Sequence, residues 1–331
     1  MGCTVVVGGV SGLLAWSELT EPGRGRRLRR VADAALAEYG LAGASARVLS
    51  TSFNTLYRVG DRVLRVGPGL RIHADGQAEA EARFLAELAQ AGVEVPGIER
   101  TLDGRAGVAV DVESVPGTRE CVLLTWTPGA MMTAPITASD ARDLGTLSAR
   151  LHAASAAVRI RPTGVLDGRA VLLFEIRDRI GQLRPRFAGL FDDALGRATA
   201  AIERLWGSGG EARVVHGDLT PANVVRARGG LVPIDFQDLF WGTTQQDIAH
   251  TLFSVLRDDG DGSRRASFRE GYSAVRPWPD FADVDLVDLF IARRLEMVNL
   301  ALALDRPGLD EYLERHAAAI RQHLAGVLRP A

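Results

Sequence analysis

The feature that most constrains this chain is a change of period at Thr127-Pro128-Gly129. Ahead of it, residues 45–66 alternate apolar with polar residues in the runs RVLS, TLYRV and RVLRV, and Gly60-Asp61 separates the last two. Alternation with period two lays one face of an extended chain on a core, and a Gly-Asp step between two such runs predicts a hairpin. Residues 77–91 (QAEAEARFLAELAQA) are strong helix formers that stop at Gly92, with Pro96 beyond. Two further strands are expected near 107–112 and 120–126. Beyond the break the period becomes mainly helical. Leu144, Leu147, Leu151 and His152 recur at helix spacing within 138–157, and a second helical pattern runs over about 170–205 with a break near Pro185. Between these and the carboxy-terminal helices, residues 213–235 hold two short apolar runs around a polar, turn-rich loop. Strands first and helices afterwards predict an α+β arrangement. Its expected divisions are 1–44 (an amino-terminal extension and a helix over 26–39), 45–126 and 127–331.

Charge and cysteine content narrow the function. The 331 residues carry 39 basic and 41 acidic side chains, a net charge of -2, which removes the general electrostatic case for nucleic acid or a membrane surface as partner. Two cysteines cannot build a disulfide framework, which points to a reducing compartment. The apolar run at 4–16 is too short to span a membrane and has no basic residue ahead of it, so a cytoplasmic protein is expected. The basic cluster from Arg24 to Arg30 reads as a solvated helix face. Every basic residue apart from histidine is arginine, because the chain contains no lysine.

The chemistry concentrates in VVHGDLTPANVV (214–225) and IDF (234–236). His216, Asp218 and Asn223 stand in the order H-x-D-x-x-x-x-N, and Asp235 follows at the end of an apolar run. Phosphoryl transfer from a nucleotide needs a divalent cation to neutralise phosphate charge and a carboxylate to align the attacking hydroxyl. Magnesium prefers hard oxygen ligands, and an asparagine carbonyl with a carboxylate on two adjoining loops supplies them. A carboxylate of ordinary pKa is a weak base at neutral pH, so orientation and late proton acceptance are expected of Asp218. A metal hydrolase using His216, Asp218 and Asp235 lacks a second histidine at a ligand-like spacing.

These loops, HGDLTPANVV and IDFQD, resemble the signature loops of the aminoglycoside phosphotransferase family, also called the phosphotransferase enzyme family. The resemblance covers roughly residues 45–305 and implies a protein-kinase-like bilobal fold, with a small antiparallel-sheet N-lobe and a larger, mainly helical C-lobe. It implies Asp218 as catalytic base, His216 as a brace of its loop, Asn223 and Asp235 as Mg²⁺ ligands, and Asp247 at a structural acidic position. ATP or GTP is the implied phosphoryl donor. In the strand RVLRV, Arg65 stands where the family usually has lysine, with Glu81 as its expected carboxylate partner and Glu79 as the competing choice. An outward-facing strand arginine is the alternative. Ser52 and Asn54 occupy the loop where protein kinases place glycines. Backbone groups from Leu124 to Trp126 are expected at the adenine edge, and Trp126 packs either beside the nucleotide or within the hinge.

The acceptor is less legible. Asp238, Trp241, Asp283, Asp285, Asp288, Glu296, Asn299 and Asp305 lie in the region that the resemblance assigns to it. Glu296 and Asn299, three apart on an apolar helix, share a face. Acidic groups suit a cationic small molecule bearing a hydroxyl, such as an aminoglycoside or a basic cyclic peptide antibiotic. Solvated acidic helix faces are the plainer account. A metabolic kinase acting on homoserine, choline or a sugar, and a catalytically silent kinase-like binding protein, are the rival readings. Oligomeric state is not legible.

Overall fold

The sheet strand RVLRV shows how alternation becomes architecture. In the computed structural model, which describes residues 4–7, 16–157, 161–208, 212–257, 262–280, 282–304 and 308–326, Leu64 and Val66 are buried on one sheet face while Arg65 lies on the other. Asp305 falls outside the described residues.

The chain divides into two compact units. The first comprises the chain up to Arg71, Ala78–Ala86 and Pro96–Thr127. Its elements are β1 (Thr4–Val7), α1 (Glu21–Glu38), β2 (Arg47–Thr51), β3 (Thr55–Val59), β4 (Arg62–Val66), most of α2 (Gln77–Gln90), β5 (Gly107–Val112) and β6 (Arg119–Thr125). The strand order is β1-β5-β6-β4-β3-β2. All neighbours are antiparallel except β1, which runs parallel to β5 with Thr4 opposite Ala109. Gly60-Asp61 forms the turn between β3 and β4, as the alternation predicts.

Helix α1 begins at Thr20, whose hydroxyl accepts from the Gly23 amide at 3.3 Å, with Pro22 in the first turn. It lays Val31, Ala32, Ala35 and Leu36 on Tyr57, Leu64, Val108, Val110 and Leu123, forming one core. Residues 4–7 thus pair within this sheet, and residues 21–38 pack on it. The basic cluster is not uniformly solvated either: Arg27 is buried and donates to the Ser114 carbonyl at 2.9 Å.

The second unit comprises Ile72–Gln77, Glu87–Val95 and the chain from Pro128 onward. It contains β7 (Ala130–Met131), α3 (Ala138–Ala154), β8 (Leu166–Asp167), α4 (Arg184–Phe187), α5 (Leu190–Gly207), β9 (Arg213–Val215), β10 (Val224–Ala227), β11 (Gly230–Pro233), β12 (Phe240–Gly242), α6 (Thr244–Val255), α7 (Ser263–Ser273), α8 (Asp283–Ala303) and α9 (Leu309–Leu324). Two three-stranded sheets, β11-β10-β7 and β8-β12-β9, carry the loops of interest. Helix pairing is tight where side chains vanish. A Cβ on Gly145 of α3 would lie 2.0 Å from the Phe268 carbonyl of α7.

The long helix expected over 170–205 begins only at Leu190. Ahead of it stand a 3₁₀ turn at Ile180–Leu183 and the single turn α4, ended by Ala188 and Gly189 in the left-handed region (φ 48° and 82°). Proline at the start of α4 and glycine at its end confine it to one turn. Among the described residues, no helix is long and apolar enough to cross a membrane.

Candidate active site

The loop after β9 is shaped by Gly217. Its φ is 83°, and a Cβ there would lie 2.1 Å from the Asp238 carbonyl, so only glycine fits. Both polar groups of this residue are tied down. Its amide donates to Asp247 Oδ1 at 2.8 Å, and its carbonyl accepts from His250 Nδ1 at 2.7 Å. Asp247 Oδ2 accepts in turn from His152 Nε2 at 2.8 Å, and His152 Nδ1 accepts from the Tyr272 hydroxyl at 2.9 Å. Burial lowers the His152 pKa, which suits a neutral ring that donates with one nitrogen and accepts with the other. Burial alone would raise the Asp247 carboxyl, but the hydrogen bonds it accepts, first from His152 and then from the Gly217 amide, hold the group below its ordinary range.

His216 braces two loops. Its Nε2 donates to the Ile234 carbonyl at 3.1 Å, and its Nδ1 accepts from the Asp218 amide at 3.2 Å. The hairpin of β10 and β11 returns the chain to this point, pairing Val224 with Pro233. The Ile234 amide then donates to the Asn223 carbonyl at 2.9 Å. Asp235 follows in the left-handed region (φ 63°, ψ 62°), a conformation few non-glycine residues adopt outside constrained sites.

Asp218 is held at both oxygens. Oδ2 accepts from Asn223 Nδ2 at 2.7 Å, and Oδ1 accepts from Arg293 Nη2 at 2.6 Å. Asn223 thus spends its amide nitrogen on Asp218 and keeps its carbonyl oxygen for another partner. Burial pushes the Asp218 pKa up to about 7, against the pull of Arg293 and with the charges of Asp238 and Asp235 adding to it. The ordinary pKa expected from sequence is therefore corrected: desolvation, invisible in the sequence, makes this carboxylate a stronger base. Asp238 behaves in the opposite way. Burial would raise it, but His73, 2.7 Å away, and then Arg293 hold it low.

In the first unit, Arg65 is 6% exposed and meets Glu81 with two bonds, Nη1 to Oε1 at 3.0 Å and Nη2 to Oε2 at 2.5 Å. Glu79 points elsewhere, to Arg100 and the Ala106 amide. The outward-arginine alternative is excluded by this burial. Ser52 is exposed in its loop and Asn54 is buried.

At the expected adenine edge, Leu124 pairs with Val63 of β4 and bridges Ile98. The amides of Thr125 and Trp126 donate to the carbonyls of Gly97 and Asp61, at 2.9 and 2.8 Å. Trp126 carries the Arg58 guanidinium 3.8 Å above its ring centre, a cation–π stack within the unit.

Of the expected acceptor residues, Trp241 is buried in β12, paired with Val214. Asn299 is 1% exposed and serves the backbone: Oδ1 accepts from the Arg179 amide at 2.8 Å, and Nδ2 donates to the Arg177 carbonyl at 3.4 Å. Both ends of its amide thus hold the 177–179 segment. Glu296, 2% exposed, gives Oε2 to Arg293 Nη1 at 2.9 Å, while Oε1 has no hydrogen-bond partner. Arg293 was not anticipated. The available signal was an arginine three residues ahead of Glu296 on the same helix. A cavity of about 1110 Å³ borders the catalytic loop at Pro221 and Ala222 and is lined further by Met132, Ile136, Arg257 and Arg264.

This loop, braced by a neutral histidine and presenting a carboxylate beside an asparagine, belongs to the protein-kinase-like class that the α+β fold defines. The profile of the phosphotransferase enzyme family (APH) matches residues 44–285, and the chain belongs to that family. It is thus a small-molecule phosphotransferase. No curated protein matches its sequence. Many solved structures share the fold, among them the following three. One is the microcompartment-associated aminopropanol kinase (TM-score 0.66, 23% identity, covering 92% of this chain and 100% of that one). Another is amicoumacin kinase hAmiN in complex with AMP-PNP, Ca²⁺ and Ami (0.67, 17%, 90% and 92%). The third is the GDP and kanamycin complex of APH(2")-IIia (0.59, 15%, 91% and 100%).

Proposed function

We propose that the chain transfers the γ-phosphoryl group of ATP, or of GTP, to a hydroxyl of a small molecule, with Asp218 as the base. The observation that carries this reading is the cluster in which Asn223 orients Asp218 while His216 joins their loop to the segment ending at Asp235. Asp218 takes a hydrogen bond from the acceptor hydroxyl. As the new oxygen–phosphorus bond forms, the bond from the γ-phosphorus to the bridging oxygen breaks and the nucleoside diphosphate leaves. The hydroxyl proton passes to the Asp218 carboxylate as the bond forms.

Two hard oxygens, the side-chain Oδ1 of Asn223 and the Asp235 carboxylate, suit Mg²⁺ that takes its other ligands from phosphate and water. Bound there, the ion supplies neutralisation of phosphate charge during transfer. Arg65 is assigned to the nucleotide phosphates. Bidentate pairing with Glu81 fixes the plane of its guanidinium. Ser52 and Asn54 are assigned to the same phosphates, and Trp126 to the nucleotide's border.

For the acceptor, the ion pairs argue against a polycation. Asp238 is paired with His73, Asp283 with Arg265, Asp285 with Arg204, Asp288 with Arg197, and Glu296 with Arg293. Carboxylates neutralised in this way do not make the uncompensated negative lining that a polyamine requires. A compact alcohol such as an amino alcohol, homoserine, choline or a sugar fits better. An antibiotic acceptor, with a role in resistance, is the second reading, favoured by the antibiotic kinases among the similar structures.

The test is ATP turnover with 1-amino-2-propanol, choline, homoserine, glucose and kanamycin, for wild type and Asp218→Ala. Transfer to one of the first four, abolished in the variant, is expected. Transfer to kanamycin alone reverses the order of the two readings. Tight MgATP binding without transfer to any alcohol favours a silent binding protein.

A further inference from the structure

Resting on the phosphotransfer reading above, we propose that Arg293 is a positioning residue whose guanidinium, braced by Glu296, fixes the plane of the Asp218 carboxylate against the acceptor hydroxyl. Arg293 sits on α8, its side chain 12% exposed. One arm of its fork reaches Asp218 Oδ1 at 2.6 Å, and the other reaches Glu296 Oε2 at 2.9 Å. Glu296 lies three residues on, so the helix itself presents the brace at the right spacing. Asn223 holds the other oxygen of Asp218 at 2.7 Å. A carboxylate gripped at both oxygens cannot rotate about its Cβ–Cγ bond, yet each oxygen still has a lone pair for the acceptor. Orientation of this kind is where a positioned base gains its rate.

The surroundings argue that the pair is kept for this purpose. Leu289, Ile291, Ala292, Leu295 and Val298 of the same helix are buried and apolar. A buried arginine–glutamate pair among such residues is weak support for stability, because desolvation offsets the attraction. Glu296 also leaves Oε1 buried without a hydrogen-bond partner, a cost that packing alone does not explain. Lysine could not replace the arginine, because a point charge does not bridge two carboxylates in fixed planes.

The experiment compares Arg293→Ala, Arg293→Lys and Asp218→Asn with wild type. The probes are MgATP with 1-amino-2-propanol, and MgATP with water as the only acceptor. Arg293→Ala is expected to lose about 10²-fold in kcat and Arg293→Lys about 10-fold, with KM for MgATP within about twofold. Added guanidinium ion is expected to restore part of the Arg293→Ala turnover and none of the Asp218→Asn turnover. Should Arg293→Ala not fold, Arg293→Lys decides alone, with a lowered kcat at an unchanged Tm expected. A kcat within about twofold of wild type in the folded variants, or a loss that follows a lowered Tm and does not respond to guanidinium, overturns the role of Arg293 alone. Wild-type turnover that survives Asp218→Asn, or no wild-type turnover with either acceptor, overturns the phosphotransfer reading and this role with it.

Discussion

Arg65 and Arg293 are both buried against carboxylates, one in each unit, and they are used in opposite ways. Arg65 sets both arms on the Glu81 carboxylate, which is wholly buried, in a closed bidentate pair. Arg293 divides its fork between Asp218 and Glu296, and the Asp218 side chain stays 24% exposed. A closed pair fixes the arginine, leaving it to act as the positioned group. A divided pair makes the arginine the support and leaves the carboxylate to act. Charge and burial are similar in the two places, and the pattern of bonds decides which partner is presented outward.

The sharpest way to break this contrast is Asp218→Asn. It removes the proton acceptor and keeps the shape, so turnover should fall by about 10³-fold or more while AMP-PNP affinity by titration calorimetry stays near wild type. Near-normal kcat would leave the second unit with two structural ion pairs and no base. Glu81→Ala tests the closed pair. It strands the buried Arg65 charge and should destabilise the protein by about 3–5 kcal/mol in denaturant unfolding. A loss below about 1 kcal/mol would mean that Arg65 relaxes to solvent and is not fixed at all.

His323 supplies a buried base with no carboxylate to meet it. Burial pushes its pKa down to about 4, and Nδ1 has no hydrogen-bond partner. The unfolded chain, with an ordinary value near 6.5, binds the proton more readily. Stability should therefore be fully present above about pH 6.5 and fall by about 2–3 kcal/mol as pH drops toward 4. His323→Phe should flatten that part of the stability profile measured by urea unfolding, and an unchanged slope would assign the acid loss to other groups. The smallest effect belongs to Glu79→Ala. Its pair with Arg100 is half exposed on both sides, so a change of about 1 kcal/mol or less is expected beside the larger loss at Glu81. Equal losses would erase the distinction between the two glutamates.

Several parts of this site were legible because their geometry is local. The hairpin around Gly60-Asp61 follows from alternation, and His216, Asp218 and Asn223 are carried by one loop of fixed spacing. The pairing of Arg65 with Glu81, 16 residues apart, was expected from the family resemblance. The helical reading of 170–189 failed for a complementary reason. Its apolar residues fit a helix by period, but Pro185 and Gly189 limit regular structure there to short turns. Asn299 looked like a polar residue exposed to a ligand on an apolar helix. Its partners, the backbone at 177 and 179, come from a segment with no signature of its own.

By itself the sequence determined the order of strands and helices through hydrophobic period, and the set of oxygen-bearing residues through the covalent spacing of two loops. It also determined that every permanent cation available to an ion pair is an arginine. Tertiary structure alone decided that Arg293 reaches Asp218 across 75 residues, that His73 reaches Asp238 across 165, and that Asp283, Asp285 and Asp288 are paired with arginines. The reason is physical. Period and spacing act along the chain, whereas ion pairing and desolvation depend on distance through space and on how much water the fold removes.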